Sequence, residues 1–194
     1  MTLRQALDSL ERRNLVARHV GREGGTFVAE PKLELTGLSA LSDQLRGLGL
    51  AAGARVLSAE ERAATAAEAA TLGRVGPVYE IARVRLADGE PLALERNVFP
   101  ADAFPGLLDL PLEGSLYGLM RGRYADVPAR AVERLEPALA TAGEAQALGV
   151  AAGAPLMLVE RVAYGASGRV LELSRDLFRG DRTRVVWESE IPAA

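Results

Sequence analysis

Arg83 and Arg85 stand two residues apart in a run of β-forming residues, Val78-Tyr-Glu-Ile-Ala-Arg-Val-Arg-Leu86. In a strand, side chains at i and i+2 leave the same face about 7 Å apart, so both guanidinium groups point the same way. Each planar fork can hold two oxygens of a phosphate or carboxylate, and two forks side by side suit a doubly charged anion. The same spacing also serves a solvated strand face, or ion pairs with Glu80 or Glu95. Glu95 and Glu172 are two carboxylates that can also be read as a general acid and base pair.

Other chemistries are closed off by composition. The 194 residues contain no cysteine, which removes disulfides, thiolate metal sites and cysteine nucleophiles, and fits a reducing cytoplasm. His19 is the only histidine, so no two-histidine metal site can form. The sequence gives no sign of a metal or redox cofactor. No stretch approaches the roughly 18 apolar residues of a membrane span, and the N-terminus lacks a charged leader followed by an apolar run. A cytoplasmic protein with no membrane partner is expected.

The elements that must position these residues repeat. Glu68-Ala-Ala-Thr-Leu-Gly73 is echoed by Glu144-Ala-Gln-Ala-Leu-Gly149. Each is followed by a proline, Pro77 or Pro155, and six residues later by Arg83-Val84 or Arg161-Val162. Each copy then turns, at Asp88-Gly89 or Ser167-Gly168, into a returning apolar strand that ends at Phe99 or Phe178. The unit is strand, helix, β-hairpin, used twice. Two such units pair most economically into one antiparallel sheet of about six strands with helices on one face, an α+β domain with a cleft between its halves. The segment from Ser115 to Tyr124 would wall or cover that cleft. Whether Glu95 shares a face with the arginines is open. A strict two-residue turn at Asp88-Gly89 sets Arg83 opposite Leu94, and a bulge would reverse this.

The N-terminal part reads differently. Thr2-Leu-Arg-Gln5 has the form of a capping box, and Leu3, Ala6, Leu7 and Leu10 recur at helical spacing, so a helix is expected from Thr2 to about Asn14. Two short β-prone runs follow around Gly21-Arg-Glu-Gly-Gly25. Pro31-Lys-Leu-Glu34 reads as a linker, with a domain boundary near Lys32. A second helix is expected from Ser39 to Arg46, with Ser39 as cap and Gly47 and Gly49 as stops. Residues 1–32 hold six Lys or Arg against four Asp or Glu, while the rest of the chain holds 17 against 22.

The stretch TLRQALDSLERRNLVARHVGREGGTFVAE resembles the end of the winged-helix DNA-binding domain of the GntR family of bacterial transcription regulators. The resemblance implies a recognition helix and wing in residues 1–31. Thr2 and Arg4 would reach DNA from the helix, with Arg22, Gly24 and Gly25 in the wing, and Arg12, Arg13 and Arg18 as weaker phosphate contacts. In the family two helices precede this point, so the module reads as a partial winged helix-turn-helix, cut short at Met1.

Residues 32–194 resemble the UTRA effector-binding domain of the HutC subgroup, whose fold is shared with chorismate lyase. RVRLADGEPLALERNVFP, FPGLLDLPLEGSLYGLM and APLMLVERVAYGASGRVLELSRDLFRGDRTRV carry it. It implies that Arg83 and Arg85 hold the acidic end of an effector, that Glu95, Ser115, Tyr117 and Glu172 hydrogen-bond its polar groups, and that Phe178 lines the site. A tyrosine is frequent at the last position in members that respond to sugar phosphates. The expected protein is a homodimeric repressor rather than an enzyme, with operator DNA and a small anionic metabolite, a sugar phosphate or carboxylate, as partners. An effector module that does not read DNA, or a lyase-like enzyme, are the alternatives.

Overall fold

The computed structural model describes residues 2–12, 16–19, 21, 24–28, 32–35 and 41–186. Contacts group these into two compact units, one made by the residues up to Leu35 together with those from Asp181 onward, the other running from Leu41 to Gly180. No helix among the described residues is long and apolar enough to cross a membrane.

In the smaller unit, α1 (Leu3–Arg12) starts at the expected capping box. The Thr2 amide donates to Gln5 Oε1 at 2.9 Å and the Gln5 amide donates to Thr2 Oγ at 3.3 Å, satisfying two donors that the first helical turn leaves open. The expected end of this helix at Asn14 lies outside the described residues. β1 (Val16–His19) and β2 (Gly25–Val28) form the expected hairpin, with Val16 opposite Val28. The segment read as a linker is different. Leu33–Leu35 is a strand, β3, paired in parallel with Thr183–Val185 near the C-terminus, and Leu33 is buried. Its partner lies 150 residues away in sequence, so no local pattern could reveal it.

The larger unit starts with α2 (Leu41–Gly47), followed by the repeat. The first copy is β4 (Ala52–Ala63), α3 (Ala66–Leu72), β5 (Pro77–Ala87) and β6 (Glu90–Pro100). Two 3-10 turns and α4 (Leu116–Met120) connect it to the second copy. That copy is β7 (Pro128–Leu139), α5 (Ala142–Leu148), β8 (Pro155–Gly165) and β9 (Val170–Arg179), after which β10 (Thr183–Val185) belongs to the smaller unit. The six long strands form one antiparallel sheet in the order β4-β5-β6-β9-β8-β7. The copies meet at β6 and β9, where Arg96 sits directly opposite Arg175 and marks the pseudo-twofold axis.

The repeated phrases are helix signals. Thr65 caps α3 and Thr141 caps α5, each in a complete capping box with Glu68 or Glu144, and each helix ends on a left-handed glycine, Gly73 or Gly149. The two helices share one face of the sheet. Leu148 and Ala145 of α5 pack with Leu94, Leu156 and Leu177, while Leu72 of α3 packs with Val78, Val98, Val170 and Leu173. Each helix thereby covers the returning strand of the other copy, α3 on β9 and α5 on β6.

The opposite face is closed by α2 and by the segment between β6 and β7. Phe104, Leu107, Leu112, Leu116 and Met120 of that segment pack on Tyr79, Ile81 and Phe99 of the sheet. Phe104 meets Phe99 and Tyr124 edge-on, with ring centres 5.6 and 5.2 Å apart. This apolar seal occupies one end of the face, and the polar side chains occupy the rest.

Candidate functional site

Register decides which residues share this face. The Asp88-Gly89 turn has positive φ at both residues, 52° and 83°, the conformation of a tight two-residue hairpin turn. Leu86 pairs with Pro91 but Arg85 pairs with Ala93, so Leu92 is an inserted residue, buried and unmatched. This bulge moves Arg83 from opposite Leu94 to opposite Glu95. The second hairpin repeats the device. Tyr164 pairs with Val170 and Ala163 with Glu172, leaving Leu171 as the insertion.

The result is a buried cluster. Arg83, 2% exposed, donates through one terminal nitrogen to the Leu112 and Gly114 carbonyls at 2.6 and 2.9 Å, and through the other to Glu95 Oε2 at 2.6 Å. Arg85, 4% exposed, donates to Glu95 Oε1 at 3.0 Å, to Ser42 Oγ at 2.7 Å and to the Gly53 carbonyl at 3.3 Å. Two guanidinium groups thus converge on one carboxylate. Burial pushes the Glu95 carboxyl up, but the Arg85 and Arg83 charges and their hydrogen bonds outweigh it and hold it below its usual range. Glu80 is on the helix face instead, where it accepts from Arg62 and Arg96 at 2.6 and 2.8 Å.

Glu172 sits in the neighbouring part of the face. It accepts from Asn97 Nδ2 at 3.0 Å and from the Tyr117 hydroxyl. Burial raises its carboxyl, the Arg161 charge and the two hydrogen bonds oppose this, and nearby Glu95 adds to the rise. Tyr117 is raised by burial and by the Glu172 charge, so it is a neutral donor. A cavity of about 110 Å³ opens beside it, lined by Tyr117, Arg121, Val127, Pro128 and Ala129.

The structure therefore brings Arg83, Arg85 and Glu95 together, and Tyr117 together with Glu172. Ser115 is spent differently, because its hydroxyl caps α4 by accepting from the Gly118 amide at 3.1 Å. Phe178 is buried opposite Ala93 and Met157, on the face that carries the arginines. In the smaller unit Thr2, Arg4, Gly24 and Gly25 are exposed, Arg18 pairs with Asp8 at 2.5 Å, and Arg13 and Arg22 lie outside the described residues.

Further polar groups on this face escaped the sequence reading: Ser42, Asn97, Glu133, Arg161, Ser174 and Asp176. Arg161 occupies the repeat position of Arg83 and donates to Glu133 Oε1 at 2.7 Å, with Asp176 Oδ2 at 3.4 Å. The repeat itself was the signal for Arg161. Alternation from Glu95 and Glu172 was the signal for Asn97 and Asp176, since residues two and four along a strand share its face. Among the described residues no group of three or more acidic or histidine side chains is arranged to hold a metal ion.

Comparison with known proteins agrees with this architecture. The UTRA domain family matches residues 47–184. The chain is 37% identical over 187 residues to the HTH-type transcriptional repressor NagR of Bacillus subtilis, covering 94% of this chain and 76% of that one. It is 36% identical to the HTH-type transcriptional repressor PhnF of Mycolicibacterium smegmatis, covering 93% and 74%. The crystal structure of PhnF from Mycobacterium smegmatis superposes with a TM-score of 0.85 at 34% identity, over 97% of this chain and 84% of that one. The chain thus belongs to the GntR family of transcription regulators that carry a UTRA domain.

Proposed function

We propose that the larger unit binds a small anionic metabolite at Arg83 and Arg85, and that binding changes how the protein reads operator DNA. The observation that carries the reading is the convergence of two buried arginines on the single carboxylate of Glu95. A buried guanidinium pair is costly without negative charge, and an incoming phosphate or carboxylate offers the same oxygens in the same bidentate geometry. Tyr117, Glu172 and Asn97 supply hydrogen-bonding partners for the remainder of the ligand, and the α4 segment, whose neighbouring carbonyls hold Arg83, supplies a wall able to respond to it.

DNA reading is assigned to α1 and the β1–β2 hairpin, with Thr2, Arg4, Gly24 and Gly25 exposed there. Two copies would set two such elements on half-sites about one helical turn apart. The ligand must bind one arrangement better than the other in order to shift them. The relatives NagR and PhnF are named as repressors, which supports the same sign of control here.

A thermal-shift panel of sugar phosphates, urocanate, dicarboxylates and fatty acids tests the ligand assignment. A ligand at 100 times its Kd adds roughly 2.7 kcal/mol. The expected result is a stabilising anion whose effect disappears in the Arg83→Ala, Arg85→Ala double variant, and an unchanged response in that variant would refute the site.

A further inference from the structure

One edge of the six-strand sheet is guarded and the other is open. β7 carries Pro128 and Pro137, which cannot donate to a further ladder. β4 has 12 residues, no proline, and no pairing partner other than β5 among the described residues. Its stretch from Leu57 to Glu61 is exposed, and Leu57 puts an apolar side chain, 49% exposed, at the middle of the strand. A long edge of this kind is a template for pairing with another strand.

A bulge restricts what can pair there. Val56 is opposite Arg83 and Ser58 is opposite Ala82, so Leu57 is an insertion that switches the alternation of β4. Gly53 and Arg55 lie on the helix face before it, and Ser58, Glu60 and Arg62 lie on that face after it. When β4 pairs antiparallel with a copy of itself, a twofold axis through a residue sets opposite faces against each other across the bulge. An axis between two residues keeps each face with its own kind. The axis between Leu57 and Ser58 is the midpoint of Ala52–Ala63, so it pairs the strand along its whole length. It sets Arg55 opposite the partner's Glu60, Glu60 opposite the partner's Arg55, and leaves only Gly53 facing the long side chain of Arg62. Moving the axis one residue toward Ala63 would set Arg55 opposite Arg62, and moving it one residue toward Ala52 would leave Glu60 opposite Gly53.

We infer that β4 is the interface with a second copy of this chain, paired about the axis between Leu57 and Ser58 so that two six-strand sheets become one continuous sheet. A groove of about 510 Å³ fits the same occupant. It lies at the Ala63 end of β4, lined by Ala63, Ala64, Ala69, Val75 and Pro77, and Val75 is 96% exposed. That end faces the partner's Ala52, which follows the turn between α2 and β4 and its Leu48, 61% exposed. The pairing thereby brings two exposed apolar side chains together at each end of the interface. The inference rests on the two-copy reading proposed above and names the surface that joins the copies, with no dependence on a ligand.

The test is sedimentation equilibrium of the whole chain beside its Arg55→Glu, Glu60→Arg and doubly reversed variants. Both side chains are exposed, so neither reversal disturbs the sheet itself. The wild-type protein is expected to be a dimer. Each single reversal sets like charges opposite each other at two places and should weaken the dimer by about tenfold or more, and the double reversal should restore it. Restoration is a result that a folding defect cannot produce. A monomeric wild-type protein overturns the interface and the two-copy reading together. A dimer that the single reversals leave unchanged, or that the double reversal does not restore, overturns this interface while leaving two copies standing. Assemblies that grow beyond a dimer with concentration would mean that β4 pairs head to tail with another edge, and they overturn it too.

Discussion

Arg83 and Glu95 face one another directly across β5 and β6, and Leu92 is the residue that puts them there. If Leu92 were paired in register instead of bulged, the side-chain alternation of β6 would carry Glu95 to the helix face and leave two buried arginines with no carboxylate between them. Inserting one alanine between Ala93 and Leu94, which sets Arg83 opposite Leu94, is therefore expected to abolish anion binding and lower the melting temperature. Circular dichroism would show strand content retained and the thermal response to ligand lost.

Glu95→Gln separates two roles of one side chain. Removing the carboxylate leaves two buried guanidinium groups short of countercharge, a cost of about 3 kcal/mol by analogy with broken buried ion pairs. It also removes the group that competes with an incoming anion. The variant should be less stable in buffer alone and recover more than the wild type does when inorganic phosphate is added. Urea unfolding with and without phosphate measures both. Equal recovery in the two proteins would show that Glu95 does not occupy the anion position.

Tyr117→Phe removes a neutral donor from a buried carboxylate. Glu172 then keeps only the Asn97 hydrogen bond, and the unmet acceptor should cost about 1–3 kcal/mol, read from the midpoint of urea unfolding. A change below a few tenths of a kcal/mol would mean that the hydroxyl does not support Glu172.

The pH dependence follows from Asp176. Its folded carboxyl titrates near 8, against about 3.8 when unperturbed. Between those values the folded chain holds a proton that the unfolded chain has released, so the stabilisation is complete below the lower value and is lost as pH rises through the upper one. Glu172 is shifted the same way. Glu95 is shifted oppositely, so its contribution is lost only as pH falls into the acid range. Unfolding free energy should decline from pH 5.5 to 8.5, and Asp176→Asn should flatten the decline. Stability that rises over this range in the wild-type protein would contradict the assignment.

The repeat makes a paired prediction. Thr65→Ala and Thr141→Ala remove equivalent caps and should each cost about 1 kcal/mol. The Thr65 variant keeps a second tie on its helix start, because Arg62 donates to both oxygens of Glu68 at 2.7 Å, whereas Glu144 meets Arg175 at 3.3 Å. The Thr141 variant should accordingly be the less stable of the two in thermal unfolding.

What could be seen in the sequence was local. Caps, left-handed glycines and two-residue turns are written within ten residues of themselves, so the repeated unit, the six-strand sheet and the face shared by α3 and α5 were legible. The clustering of Glu95 with Arg83 was not, because one inserted leucine decides it and a leucine looks the same in register or out of it. Ser42 lies 43 residues from Arg85, and β3 lies 150 from β10. Neither distance leaves a trace in periodicity. Ser115 was legible as a hydroxyl in the right region, but its engagement as the cap of α4 depends on where that short helix begins.

The exchange of helices between the two copies carries a consequence for the integrity of the chain. A polypeptide ending after β6 would keep Leu72 on Val78 and Val98, but α3 would lose Val170 and Leu173 of β9, and Leu94 of β6 would lose Ala145 and Leu148 of α5. Two such polypeptides could complete each other by the same trade. A nick in the connecting segment would accordingly leave both pieces dependent on staying together.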